Sequence, residues 1–258
     1  MWHILENFEH TEWPLTSWPA VLVASVAYLM VVYFLTGKKA SNEKFFRTWF
    51  VNHNYLLSGF SFALLMGIIS QLLPFAHEGL FYMICSEDML TRPLYFFYYI
   101  NYLTKYYELL DSFILLRMGK RLEFLHVYHH AMTMILCFWE LDGKTAVQWV
   151  PITANLLTHT IMYYYYALRA QKKDVPWKML VTVVQITQFV VDVAFCFYCT
   201  LGRWGHFPYF PFFYCAGTWG AAVFGCSLLT SYLVLFIVLF SNRYCGPKKG
   251  GSKKVKGE

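Results

Sequence analysis

The chain is poor in charge. Of its 258 residues, 14% are Asp, Glu, Lys or Arg, while 58% are hydrophobic. Soluble domains carry about a quarter charged residues, so a water-soluble globular domain is excluded. Positions 1–18 hold Glu6, Glu9 and Glu12 but no Lys or Arg. Without a positive n-region, no cleavable signal peptide is expected. Cysteine is present but unorganised: the seven residues (85, 137, 196, 199, 215, 226 and 245) are scattered, mostly in apolar runs. There they read as small packing residues. Cys196 and Cys199 form a C-x-x-C without a second pair, so neither zinc nor redox chemistry is read from it. No second domain and no strong internal repeat is visible, and no nucleic-acid partner is expected.

What the chain has is apolar runs and rings, with 24 Phe, 20 Tyr and 9 Trp. Runs long enough to cross about 30 Å of hydrocarbon occur at roughly 19–36, 55–73, 95–116, 124–140, 146–168, 177–200 and 211–240. In lipid each must satisfy its own backbone, so all seven are read as helices. The fold class expected is all-α: a polytopic membrane protein of seven transmembrane helices around a cytosol-facing cavity and an apolar tunnel. Residues 1–18 form a lumenal tail, 19–240 the helical domain and 241–258 a basic cytosolic tail. Lys and Arg alternate between successive connections. One side collects 17 of them and the other three, with Lys105 left inside a helix. The positive-inside rule then puts the N-terminus in the lumen and the C-terminus in the cytosol.

Ionisable groups at membrane depth are costly and mark function. In the third helix, "KYYELLDS" (105–112) sets Lys105, Glu108 and Asp111 at i, i+3, i+6, with Ser112 i+4 from Glu108. These share one face, and Lys105 can pair with Glu108. In the fourth, "HVYHH" (126–130) places His126, His129 and His130 at i, i+3, i+4. In the fifth, "NLLTHTIMYYYY" (155–166) aligns Asn155, His159, Met162, Tyr163 and Tyr166. In the sixth, "TVVQITQFVVD" aligns Thr182, Gln185, Gln188 and Asp192. His129 lies about 9 Å in from Glu123 at 1.5 Å per residue. Four helices thus aim polar groups at one cavity open to the cytosol, while the lumenal halves read as apolar. Such a cavity suits a substrate with a polar head and a long apolar tail.

Histidine clusters first raise metal chemistry. Of nine histidines, His3, His10, His53, His77 and His206 fall in tails, loops or at helix ends. The four that converge could hold one metal ion but not the several histidine boxes of a di-iron centre. The alternatives are therefore a single-metal lipid oxidoreductase, acid–base or nucleophilic work by imidazole, and a seven-helix receptor. A receptor has no need of three histidines on one helix. No Cys or Ser occupies the centre of the polar group, so a histidine is the best nucleophile candidate.

The four motifs, in this order, resemble those of the ELO elongases of very-long-chain fatty acids: K-x-x-E-x-x-D-[TS], H-x-x-H-H, N-x-x-x-H-x-x-M-Y-x-Y-Y and T-x-x-Q-x-x-Q. Ser112 stands where Thr is commoner and keeps the hydroxyl. The "WVPITANLLTH" context is similar to the fungal-type branch. The resemblance implies a 3-oxoacyl-CoA synthase of the endoplasmic reticulum. It condenses acyl-CoA with malonyl-CoA, without metal or cofactor, alongside a 3-ketoacyl-CoA reductase, a 3-hydroxyacyl-CoA dehydratase and an enoyl-CoA reductase. His129, with His159 opposite, would accept the acyl group. His126, His130, Asn155, Gln185 and Gln188 would orient groups or stabilise oxyanion charge, and Lys105, Glu108 and Asp111 would position histidines or move protons. Ser112, Met162, Tyr163, Tyr166 and Thr182 are expected to contact substrate. Arg117, Lys120, Arg121, Arg169, Lys172 and Lys173 are candidates for CoA phosphates. Phe195, Phe197 and Tyr198 are candidate stops for the acyl tail. "HVYHH", with histidine first, looks more like elongases of saturated and monounsaturated chains, though animal polyunsaturated elongases share it. Cys85 is a candidate for a lumenal disulfide with Cys199 or Cys215. The tail "KVKGE" (254–258) resembles a K-x-K-x-x retrieval signal.

Overall fold

The computed structural model describes residues 13–204 and 214–245; His3, His10, His206 and the retrieval-like tail lie outside the described residues. Among the described residues there are eight α-helices and no strand. Seven are long: α1 Trp18–Leu35, α2 Glu43–Leu72, α3 Arg92–Arg117, α4 Phe124–Gly143, α5 Trp149–Ala170, α6 Lys178–Trp204 and α7 Trp219–Phe240. The eighth, Leu80–Cys85, is a short helix between α2 and α3.

Local chemistry sets the ends. Thr91 accepts from the Leu94 amide at the start of α3, where Pro93 stands in the first turn and loses no helical bond. Thr218 accepts from the Ala221 amide and starts α7, which is why that helix begins later than the apolar run from 211 indicates. Asn42 caps α2 by accepting from Phe45. The second helix therefore starts 12 residues before the run expected at 55–73, extending over about three turns in which polar and aromatic residues mix.

Four helical segments are long and apolar enough to cross a membrane by length and composition: Trp18–Leu35, Glu43–Glu78, Lys178–Gly202 and Trp219–Phe240. The long helices outside that set are α3, α4 and α5. These carry the Lys–Glu–Asp, histidine and Asn–His stripes, which lower their apolarity.

Six helices pack as a closed ring in the order α2, α5, α6, α7, α4, α3, back to α2; α1 lies outside against α3 and α4. The outer surface of α1 is apolar, with Val23 69% exposed. Gly67 of α2 admits the ring of Phe97, since a Cβ there would stand 2.5 Å from it. The largest packed cluster joins α2, α3, α4 and α5 through Leu64, Ile68, Tyr98, Tyr102, Met134 and Leu156. Opposite the short loops after α3 and α5, the other end is stitched by a Cys85–Cys215 disulfide. Of the two partners expected for Cys85, Cys215 is the bonded one, and Cys199 stays free beside it. Ala216 N donates to Cys85 O and Thr218 N to Gly143 O.

The cross-link spans 130 residues, and a disulfide typically stabilises a fold by about 2–4 kcal/mol. We expect reductant, or Cys215→Ser, to lower the unfolding temperature in detergent. An unchanged transition, with the link confirmed by non-reducing peptide mapping, would show that the disulfide carries no stability.

Candidate active site

The stripes foreseen on α3, α4, α5 and α6 meet inside the ring. On α3, Lys105 Nζ donates to Glu108 Oε1 and to Asn155 Oδ1 on α5, each at 2.9 Å. Lys105 and Glu108 are 2% and 3% exposed, so each needs the other. Because the ammonium takes the Asn155 carbonyl, the amide nitrogen is left to donate to His159 Nε2 at 3.2 Å. An accepting Nε2 puts the ring proton on Nδ1, which lies 3.3 Å from Glu108 Oε1. That contact is close enough for charge but too bent for a hydrogen bond. His159 is therefore held on both nitrogens' sides.

Asp111 is the second hub. Its Oδ2 accepts from the Tyr163 hydroxyl at 2.9 Å and lies 3.8 Å from His130 Nε2. Its Oδ1 lies 2.6 Å from His53 Nε2. This corrects the expectation that His53 sits apart at a helix end: it is buried in α2 and is a fifth converging histidine. Nothing in its local sequence marks it, because its partner lies 58 residues away. Ser112, expected to contact substrate, is buried. Its buried hydroxyl stands between Tyr28 of α1 and His126 Nε2, 2.8 Å from each.

His129 differs from the rest. Among the described residues its ring nitrogens have no hydrogen-bond or ion-pair partner. The ring rests against Tyr232 and Phe189, with centroids 4.9 and 6.4 Å away. It lines two cavities. One, of about 370 Å³, is walled by Asp111, the three α4 histidines, Asn155, His159, Met162, Tyr163, Tyr166, Thr182, Gln185 and Gln188. The other, of about 60 Å³, runs deeper along α4 and shares His129, Asn155, Gln188 and Phe189. Gln185 donates to the Met162 sulfur and Gln188 to Asp192, each at 3.2 Å.

A profile of the ELO family, described as GNS1/SUR4 family, matches residues 13–252. The chain belongs to the ELO family. It is 39% identical over 279 residues to "Putative fatty acid elongase 1" of Schizosaccharomyces pombe, covering 98% of this chain and 81% of that one. It is 35% identical over 242 residues to "Fatty acid elongase A" of Dictyostelium discoideum, covering 90% and 85%.

Several contacts in this ELO chain fall elsewhere than expected. Arg117 donates to Ser41 Oγ and lies over Phe46. Lys120, Arg121, Lys172 and Lys173 are exposed and do not line the larger cavity. The cation in its wall is Lys178, at the first turn of α6. The deeper cavity is not purely apolar: Asn101, Glu140, Gln148 and Asp192 stand in its wall. Phe195, Phe197 and Tyr198 do not line it. Phe195 and Tyr198 face an outer hollow with Leu80 and Ile84, and Phe197 and Tyr198 are 39% exposed. Among the described residues, the three-donor group with ligand atoms within 4.8 Å of one another is Cys85, Cys199 and Cys215, two of which are bonded together.

Breaking a buried ion pair from one side costs about 3–5 kcal/mol, far more than replacing both partners. We expect Lys105→Met to destabilise the detergent-solubilised protein strongly and Lys105→Met/Glu108→Gln to recover much of the loss. Equal melting of the single and double variants would show that the pair is not coupled.

Proposed function

We propose that this fatty acid elongase is a 3-oxoacyl-CoA synthase: acyl-CoA, malonyl-CoA and a proton give 3-oxoacyl-CoA, carbon dioxide and free CoA. The observation that carries this reading is the position of His129, an untethered imidazole at the joint of a polar cavity and a deeper, narrow one. An acyl chain lying in the deeper space sets its thioester carbon at that ring. The imidazole nitrogen attacks the carbon, the C–S bond breaks, and CoA leaves as the thiol after taking a proton. Malonyl-CoA then enters the larger cavity and loses carbon dioxide. The resulting enolate forms a bond to the acyl carbon, and the C–N bond to His129 breaks.

The neighbours suit supporting work. His159, fixed by Asn155 and backed by Glu108, lines the same cavity as His129 and is placed to hold or donate a proton. His126 and His130 are oriented through Ser112 and Asp111. Gln185 and Gln188 offer amide N–H groups to developing oxyanion charge. Lys178 in the cavity wall suits a CoA phosphate. Direct attack by the enolate, with histidine as general base, uses the same residues without the covalent step.

The setting proposed with this activity is a seven-span protein of the endoplasmic reticulum, N-terminus lumenal and C-terminus cytosolic, so that the cavity draws CoA esters from the cytosol. No metal or further cofactor takes part. The 3-oxo product requires reduction, dehydration and a second reduction, supplied by a ketoacyl-CoA reductase, a hydroxyacyl-CoA dehydratase and an enoyl-CoA reductase in the same membrane.

Purified protein given labelled malonyl-CoA and acyl-CoA is expected to release a 3-oxoacyl-CoA two carbons longer, and His129→Ala to lose this activity. Mass spectrometry after acyl-CoA alone should show an acyl adduct on His129 in the wild type. Turnover retained in His129→Ala would overturn the assignment, and turnover without an adduct would favour direct attack.

A further inference from the structure

α1 is the helix outside the ring, and it sends one polar side chain inward. Val21, Ser25 and Tyr28 are its buried residues, a stripe at i, i+4, i+7. The Ser25 hydroxyl is engaged within α1, donating to Val21 O at 2.9 Å. Tyr28 is 5% exposed, and its hydroxyl lies 2.8 Å from Ser112 Oγ on α3. Ser112 Oγ in turn lies 2.8 Å from His126 Nε2 on α4. A chain of polar groups thus runs from α1 through α3 to a histidine that borders the larger cavity.

The direction of this chain follows from its protons. Each hydroxyl has a single proton to give. Among the described residues, Ser112 is the only hydrogen-bond partner of the Tyr28 hydroxyl. If His126 Nε2 donated to Ser112, Ser112 would donate to Tyr28, and the phenol proton would be buried without an acceptor. Stranding a buried donor costs more than an ordinary hydrogen bond returns. Tyr28 Oη therefore donates to Ser112 Oγ, and Ser112 Oγ donates to His126 Nε2. An accepting Nε2 puts the imidazole proton on Nδ1. Among the described residues Nδ1 has no hydrogen-bond partner, so its N–H is left for what occupies the larger cavity.

We propose that Tyr28 is a positioning residue: through Ser112 it holds His126 as an Nδ1–H donor to the malonyl thioester oxygen. As the carboxylate leaves as carbon dioxide, the electron pair of the broken C–C bond moves into the enolate, and charge gathers on that oxygen. A donor already aimed there stabilises the charge as it develops. No proton changes hands at His126; its N–H bond stays intact and its lone pair stays on Ser112. This role rests on the synthase reading above. It adds the group that fixes one of the donors, and that group comes from the helix outside the ring, which carries none of the four motifs.

The test uses the purified full chain with acyl-CoA and labelled malonyl-CoA. Tyr28→Phe keeps the ring and removes only the hydroxyl. One hydrogen bond biases a tautomer by about tenfold in population, so kcat should fall about tenfold. KM for malonyl-CoA should not move, because the lost interaction matters only as charge develops. Ser112→Ala breaks the same chain, so Tyr28→Phe/Ser112→Ala should be no slower than Ser112→Ala alone. Ser112→Thr keeps the hydroxyl and should keep the rate, whereas Ser112→Val, of the same shape as Thr without it, should lose about tenfold. Wild-type kcat in Tyr28→Phe, a raised KM with kcat unchanged, or a double variant in which the two losses multiply overturns the proposal. Where Tyr28→Phe does not accumulate as folded protein, equal kcat in Ser112→Thr and Ser112→Val overturns it. A wild type that condenses no acyl-CoA overturns instead the synthase reading beneath it.

Discussion

The Lys105–Glu108 ion pair is the interaction on which the rest of the site turns. Two oppositely charged side chains are buried where water is scarce, and each offsets the other's desolvation from 2.9 Å away. The pair does more than neutralise itself. Its ammonium holds Asn155, and through Asn155 it fixes the tautomer and orientation of His159. One turn along the same face, Asp111 ties α3 to α2 through His53 and to α5 through Tyr163. The face of α3 that is most expensive to bury is thus the face that joins three members of the ring.

This arrangement separates fixed groups from an available one. His53, His126, His130 and His159 each face a serine, an amide or a carboxylate within 3.8 Å. His129, bounded by Tyr232 and Phe189, keeps its nitrogens for something else. A nucleophile needs an unengaged lone pair, while the groups that orient it need the opposite. The scaffold supplies both on neighbouring turns of one helix. The polar cavity and the smaller one behind it meet at His129, with Asn155, Gln188 and Phe189 in both walls.

How much of this could be read in advance depended on range along the chain. The stripes of α3, α4, α5 and α6 follow from helical periodicity, which is a local property, and the four motifs pointed to a family to which the chain belongs. The helix ends were less legible because capping by Asn42 and Thr218 overrides hydropathy. His53 was missed because its own segment reads as a polar helix start, and only the ring brings it to Asp111. The loop cations Lys120, Arg121, Lys172 and Lys173 lie outside the wall of the larger cavity for a related reason. Charge in a short loop reports topology, whereas facing the cavity depends on helix rotation, which selects Lys178 instead.

Composition and spacing alone therefore established an all-helical, apolar chain, the helices bearing polar groups, and the faces that bear them. Only the packed bundle decided that six helices close a ring with α1 outside. It also decided that Cys215 rather than Cys199 bonds Cys85, that Ser112 lies behind His126, and that Phe195, Phe197 and Tyr198 stay out of the deep cavity. The physical division is plain. A helix repeats every few residues, so its faces are written in adjacent positions. Contacts between helices depend on rotation and depth, which arise from all the packed side chains together.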